Sequence, residues 1–345
     1  MQNRRQFLRQ SFAFSALASL GSLPSLAAPT APAKDSRHII LAGDWGYEDN
    51  TAQLAVARGM GTYTQQHSLR PEALILLGDN WYGPLDGGVD SPRWKISFEE
   101  AYPASIFPGP IYAIPGNHDY QVMLESKLAA ELAYAKRPGT RWTMPSLWYT
   151  VKLPAQDPIL TLIALDSNVN IPGHHAKLPN FTLTEAQQAE QLTWLEAELS
   201  KPLTTPFLAV MGHHPVYSNG IHGDHAVLIR DWEPLLRKHN VHLYLAGHDH
   251  DLQHLEFANH PTSFFLSGGG GADLYKLTIK PEERGPYAQR VYGFSHIEMS
   301  RELLTLRHLN EKGELVHSFT KRPDNSVQIL SAWRRLQTRT DFTAS

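Results

Sequence analysis

The 345-residue chain contains no cysteine. That absence removes disulfides, thiolate nucleophiles and sulfur-ligated metal sites together, and a lipid anchor on an N-terminal cysteine with them. An excess of charge of one sign is missing too. The 31 Lys and Arg face 34 Asp and Glu, for a formal net charge of −3 and a pI near 6.7. Such a balance offers no cationic field, and no nucleic-acid partner is expected. No long apolar run occurs: residues 12–26 are too short a stretch, and too rich in Ser and Gly, for a membrane span. There is no Gly-x-Ser-x-Gly, which leaves a serine-nucleophile hydrolase without support. The run Gly268–Gly271 lacks a following Gly-Lys-Ser/Thr and is not a P-loop.

What is present is a core-forming composition, 42 % hydrophobic and 19 % charged, with 18 histidines. A chain of roughly 300 residues buries about three quarters of its unfolded surface, so folding needs no staple. Metal chemistry here would have to run on His, Asp, Asn and Tyr. At the N-terminus Arg4-Arg5 is followed by Phe7-Leu8, an apolar stretch and Ala/Pro-rich residues. This is the pattern of a bacterial twin-arginine export signal over residues 1–33, with cleavage after Ala27 or Ala33. The expectation is a periplasmic or secreted protein that engages the twin-arginine export machinery and has no stable membrane anchor.

From His38 onward apolar runs alternate with amphipathic stretches. Strands are expected at 38–42, 73–77, 111–114, 148–153, 159–165, 207–211, 242–246, 263–267, 293–299 and 303–309. Helices are expected at 51–66, 92–101, 121–136, 185–199 and 225–238. The fourth opens on a capping box, Thr184 with Gln187, and its Ala189, Leu192, Leu195 and Leu199 form an apolar stripe flanked by Trp194. The alternation argues an α/β sandwich, with an antiparallel part at the end where strands lack intervening helices. One domain is read over residues 34–320, and a polar extension over 321–345 carries Arg334, Arg335 and Arg339. Asn180-Phe181-Thr182 fits a glycosylation sequon, a poor reading in an exported bacterial chain.

Five short motifs each follow an apolar run: Gly43-Asp44-Trp45-Gly46, Gly78-Asp79-Asn80-Trp81-Tyr82, Gly116-Asn117-His118-Asp119, Gly212-His213-His214-Pro215 and Gly247-His248-Asp249-His250. Ligands of open α/β sheets collect beyond the carboxyl ends of strands. What gathers there is hard oxygen donors and imidazoles, too many for one cation but suited to a pair that shares a bridging carboxylate.

These motifs resemble those of the calcineurin-like metallophosphoesterases over roughly residues 38–310. Most of that superfamily has His where this chain has Gly46, so the first metal would be one donor short, and Tyr82 can supply it. Gly at the first motif with Tyr at the second resembles the purple acid phosphatases, in particular their small tartrate-resistant branch. The resemblance implies a four-layer α/β/β/α sandwich of two mixed sheets. It implies that Asp44, Tyr82 and His250 bind Fe(III), that Asn117, His213 and His248 bind a divalent ion (Fe, Zn or Mn), and that Asp79 bridges them. The implied activity is acid phosphatase: hydrolysis of small-molecule phosphate monoesters, with a metal-bound hydroxide as nucleophile. His118 and His222 match the family's substrate-contacting histidines. Where the branch often has an acid before the second, this chain has Ile221, so either histidine could be the proton donor, His118 could instead only support a ligand, and His222 could be a solvated loop residue. His214 reads as pocket wall. Asp119 and Asp249 read as residues that orient neighbouring histidine rings, and Gly268–Gly271 as a close backbone approach beneath the metals. A phosphodiesterase or nucleotidase on the same fold, an iron redox side activity and a non-catalytic metal-binding module are the competing readings.

Overall fold

The computed structural model describes residues 36–121, 126–169 and 182–331. The export signal, most of the sequon and the three C-terminal arginines lie outside them. Among the described residues, fifteen strands form two sheets. The first holds β1 (Arg37–Ala42), β2 (Pro71–Leu76), β3 (Ile111–Ala113), β4 (Trp142–Thr143), β12 (Gly293–Met299), β13 (Leu304–Asn310), β14 (Leu315–Lys321) and β15 (Val327–Ser331). Its order is β15-β14-β13-β12-β1-β2-β3-β4. The second holds β5 (Tyr149–Leu153), β6 (Leu160–Ala164), β7 (Phe207–Met211), β8 (Leu243–Ala246), β9 (Leu252–Leu255), β10 (Ser263–Ser267) and β11 (Pro286–Gln289), in the order β11-β9-β10-β8-β7-β6-β5.

Strand periodicity builds the layers. Ile39 and Leu41 of β1 point into an inter-sheet core with Leu162, Phe207, Ala209, Leu245 and Phe265 of the second sheet. Ile40 and Ala42, one residue out of phase, face the opposite side. There they meet Val56 and Met60 of α1 (Thr51–Gln66), Ala130 and Tyr134 of α2 (Lys127–Tyr134), and the cluster Trp45, Trp81, Trp94 and Trp142. On the far face of the second sheet, Leu195 and Leu199 of α3 (Glu185–Leu199) pack with Val227, Leu228 and Leu236 of α4 (Ala226–Asp231) and α5 (Glu233–Lys238). The result is the expected four-layer sandwich with three apolar seams. Each fully buried Leu or Phe contributes about 1.5–3 kcal/mol.

Four expectations need correction. The single helix expected over 225–238 is two, broken at Trp232, because Pro234 has no N–H to carry the helix ladder across the junction. The stripe of α3 is Gln191, Leu195 and Leu199, with Leu192 and Trp194 half-buried; Ala189 is exposed. Gln191 is buried because its amide pairs with the Asp166 backbone, accepting from the N–H and donating to the C=O, both at 2.8 Å. The first sheet also runs past residue 320, since β14 and β15 pair antiparallel up to Ser331. Residues 94–100, finally, form a wide π-helical segment rather than an α-helix.

Buried histidines bind the sheets together away from the motif loops. His254 on β9 meets His317 on β14 at 2.9 Å, and His308 on β13 joins Ser295 at 2.8 Å and the Gln253 carbonyl at 3.0 Å. Within the first sheet and the helix on it, His296 joins His38 at 3.1 Å and Tyr63 at 3.0 Å. Burial holds His308 and His296 well below the ordinary 6.5, with His317 and Arg307 respectively adding to the effect. The folded state thus keeps these rings neutral, while the unfolded chain protonates them as pH falls through about 6.5. Acid therefore favours unfolding, by up to about 1.4 kcal/mol per pH unit for each ring. The thermal midpoint should drop between pH 7 and pH 5, and His308→Gln should flatten that drop. An unchanged pH profile in the variant would remove His308 as a source of acid sensitivity.

Candidate metal centre

Three of the five motifs leave the carboxyl ends of adjacent parallel strands β1, β2 and β3, and two leave the adjacent parallel pair β7 and β8. Their loops turn at once. Asp44, Asp79 and His248 take φ of 59°, 49° and 72°, left-handed values that cost a non-glycine residue of order 1–3 kcal/mol each. Backbone bonds hold them there: the Asp44 amide donates to the Gly78 carbonyl at 3.0 Å, and the Gly247 amide to the His213 carbonyl at 3.0 Å. The His248 amide donates to Asp44 Oδ2 at 2.8 Å, which ties the first motif to the fifth.

The seven residues implied as ligands come together in two overlapping groups. In the first, Tyr82 Oη lies 2.9 Å from Asp79 Oδ2, 3.0 Å from His250 Nε2 and 3.3 Å from Asp44 Oδ1. In the second, His213 Nε2 lies 3.1 Å from Asn117 Oδ1, 3.2 Å from His248 Nδ1 and 3.4 Å from Asp79 Oδ2. Asp79 belongs to both, as a bridging carboxylate must. Second nitrogens are fixed from behind. His213 Nδ1 donates to the Leu77 carbonyl at 2.8 Å and His250 Nδ1 to the Asp273 carbonyl at 2.6 Å, so both rings present Nε2 inward.

The electrostatics call for cations. Asp44 and Asp79 are buried, and their ion-pair partners among the described residues are histidines alone. Burial works against a charge on His213, yet contact with Asp79, then Asp44, pushes it up to about 10. Burial and the His214 and His213 rings hold His248 well below the ordinary range. Tyr82 is raised well above 10 by burial and by Asp79 and Asp44. A hard, highly charged ion would be needed to make it a phenolate.

Gly46 explains why tyrosine completes the first group. A Cβ there would sit 1.7 Å from the Asn80 carbonyl oxygen, so a histidine cannot be placed without moving the second motif. Tyr82 arrives instead, its amide donating to the Gly46 carbonyl at 2.9 Å. The glycine run is the expected close approach: a Cβ on Gly268 would meet the Asp249 carbonyl at 2.1 Å, and one on Gly270 the Gly43 carbonyl at 2.2 Å.

Two histidines flank the groups. His118 lies beside Tyr82, with ring centroids 4.1 Å apart; its amide donates to Asp79 Oδ1 at 2.8 Å and its Nδ1 to Gln121 Oε1 at 3.1 Å. His222 lies over His248 at 4.1 Å, 37 % exposed, its Nδ1 donating to Asp249 Oδ1 at 2.8 Å. Ile221 brings no carboxylate, and the one that holds the His222 ring belongs to Asp249 of the fifth motif. Asp249 does orient a histidine ring, but the ring is His222 and not that of a neighbour in the chain. Asp119 does not: it is buried and accepts from the amides of Asn80, Trp81 and Gly116, bracing the second and third motifs against each other. His214 rests on His248 at 4.3 Å, a wall as expected. Tyr275, which no motif signalled, stacks on His250.

Known proteins resemble this chain in sequence and in fold. The family model for calcineurin-like phosphoesterases matches residues 37–252. The tartrate-resistant acid phosphatase type 5 of Homo sapiens is 29 % identical over 311 residues, 85 % of this chain and 92 % of that one. Purple acid phosphatase 4 of Arabidopsis thaliana is 26 % identical over 290 residues, 81 % and 82 % of the two chains. Among solved structures, the purple acid phosphatase PPD1 from yellow lupin superposes with a TM-score of 0.61 at 16 % identity, covering 84 % of this chain and 55 % of that one. GAP50, described as the anchor in the inner membrane complex of Plasmodium, superposes at 0.69 and 21 % identity, covering 82 % and 87 %. At such identities the two structures speak for the fold.

Proposed function

The chain belongs to the calcineurin-like phosphoesterase family, and on that premise we propose that it is an exported acid phosphatase of the purple type that hydrolyses phosphate monoesters. The observation that carries this reading is Asp79, shared by two donor groups that differ in character. Asp44, Tyr82 and His250 offer two anionic oxygen donors and suit Fe(III); Asn117, His213 and His248 suit a divalent Fe, Zn or Mn. Two cations held there would neutralise phosphate charge and acidify an attacking water. The residues of the chain do the rest. Asp44 and Asp79 supply the negative charge that retains the cations. The Leu77 and Asp273 carbonyls keep His213 and His250 in one tautomer. His118 and His222, on opposite flanks, are placed to meet the ester and to protonate its leaving oxygen, each with Nδ1 held and Nε2 turned from that support. Export by the twin-arginine route, with cleavage after Ala27 or Ala33, completes the proposal.

An alkoxide leaves poorly without a proton, whereas p-nitrophenolate does not need one. His118→Ala and His222→Ala should therefore be compared on an alkyl phosphate and on p-nitrophenyl phosphate. The donor's variant is expected to lose about 10²–10⁴-fold on the alkyl ester and far less on the aryl one. Equal losses on both substrates in both variants would remove the two histidines as acids. A protein active only on phosphodiesters would overturn the monoesterase reading.

A further inference from the structure

Residues 272–275, just after the glycine run, close the first donor group from its outer side. The Ala272 amide donates to the Asp44 carbonyl at 2.9 Å, and the Tyr275 amide meets the His250 carbonyl at 3.4 Å. Tyr47 Oη donates to the Asp273 carboxylate at 3.1 Å, which pins the same loop from across the mouth. Tyr275 is half-buried. Its ring lies face to face with His250, centroids 4.0 Å and planes 16° apart, and meets His222 edge-on at 5.3 Å and 73°. It therefore stands between a donor of the first group and the histidine that flanks the second. Two histidine contacts and the loop bonds fix the ring, yet its hydroxyl has no hydrogen bond to any described residue.

We propose that Tyr275 is a substrate-contact residue, its O–H donating a hydrogen bond to an oxygen of the bound phosphate group. The proposal rests on the phosphate-ester reading of this site. Chemistry favours such a donor. A dianionic phosphate needs N–H or O–H groups around it, and a phenol keeps its proton through the neutral and acid range. Arg93, which reaches the second motif at Tyr82, is spent on the carbonyls of Gly46, Tyr82 and Pro84. A preorganised neutral donor that costs no further ordering on binding fits the gap.

The test is Tyr275→Phe in the metal-loaded enzyme, which keeps the stack on His250 and removes only the donor. Inorganic phosphate is the probe, by calorimetry and as a competitive inhibitor. Its affinity is expected to fall about tenfold or more, as is kcat/KM by the same factor on aryl and alkyl monoesters. Metal content and thermal midpoint should stay at wild-type values. Unchanged phosphate affinity in Tyr275→Phe would overturn the proposal, and so would loss of metal in place of phosphate affinity. Tyr275→Leu, which removes the stack as well, serves as the control for a ring-holding role and is expected to shed metal. Were the wild-type enzyme to cleave only diesters, the monoesterase reading would fail, while the phosphate affinities of the two proteins would still decide the role of Tyr275.

Discussion

Asp79→Asn is expected to abolish phosphatase activity and to cost the protein both metals rather than one. The side chain keeps its size, so the fold should stand, but its charge is gone and an NH2 now faces donors or cations on one side. Asp79 Oδ2 sits 2.9 Å from Tyr82 Oη and 3.4 Å from His213 Nε2, while Oδ1 accepts the His118 amide at 2.8 Å. One carboxylate thus serves the first group, the second group and the placement of a candidate acid. Removing several kcal/mol of charge stabilisation from the reacting phosphate corresponds to a loss of about a thousandfold or more. Metal analysis should find less than one ion per chain. The metal-free variant should melt below the metal-free wild type, because without a cation the Asp79 carboxylate pairs with the buried His213 ring, and Asn removes that partner. Two retained metals with full activity would refute the bridging role.

Much of this site was legible in the sequence because its donors come in short motifs at strand ends, where one residue fixes the next. The Gly before each donor, the His-x-His of the fifth motif and the Gly46/Tyr82 exchange are local facts, and the structure gives them a local cause in the 1.7 Å clash at Gly46. What stayed hidden depends on distant partners. Asp119 looked like a neighbour of His118, but its three backbone donors come from two loops brought together by β2 and β3. The Asp249 support of His222 spans 27 residues, and Tyr275 reaches His250 only because the loop after β10 folds back. The fold shows the same division. Strands with continuous apolar runs, such as Phe207–Met211 and Ser263–Ser267, have the same bounds in the sequence pattern and in the structure. Leu252–Leu255 and Leu315–Lys321 do not read as strands, because their buried His254 and His317 pair with each other across the sheets, and in a linear reading a buried histidine counts as polar.

The second large effect concerns colour and tests the proposed ferric site. Burial and the neighbouring carboxylates hold the Tyr82 hydroxyl well above its ordinary pKa, so its phenolate would exist here only on a strongly charged ion. A phenolate on Fe(III) absorbs visible light by charge transfer; on Zn(II) or Mn(II) it gives no such band. Tyr82→Phe removes the phenolate and keeps the ring that packs against Tyr47 and His118. The variant should therefore fold, lose the visible band entirely and lose iron from the first group, with the second less affected. The most direct measurement is the visible absorption spectrum, with metal analysis, of protein exported through its own signal. A ferric site at Tyr82 should give a broad band near the middle of the visible range, one iron and one further metal per chain, and a colourless Tyr82→Phe. A colourless wild-type protein carrying two zinc or two manganese ions per chain would contradict it.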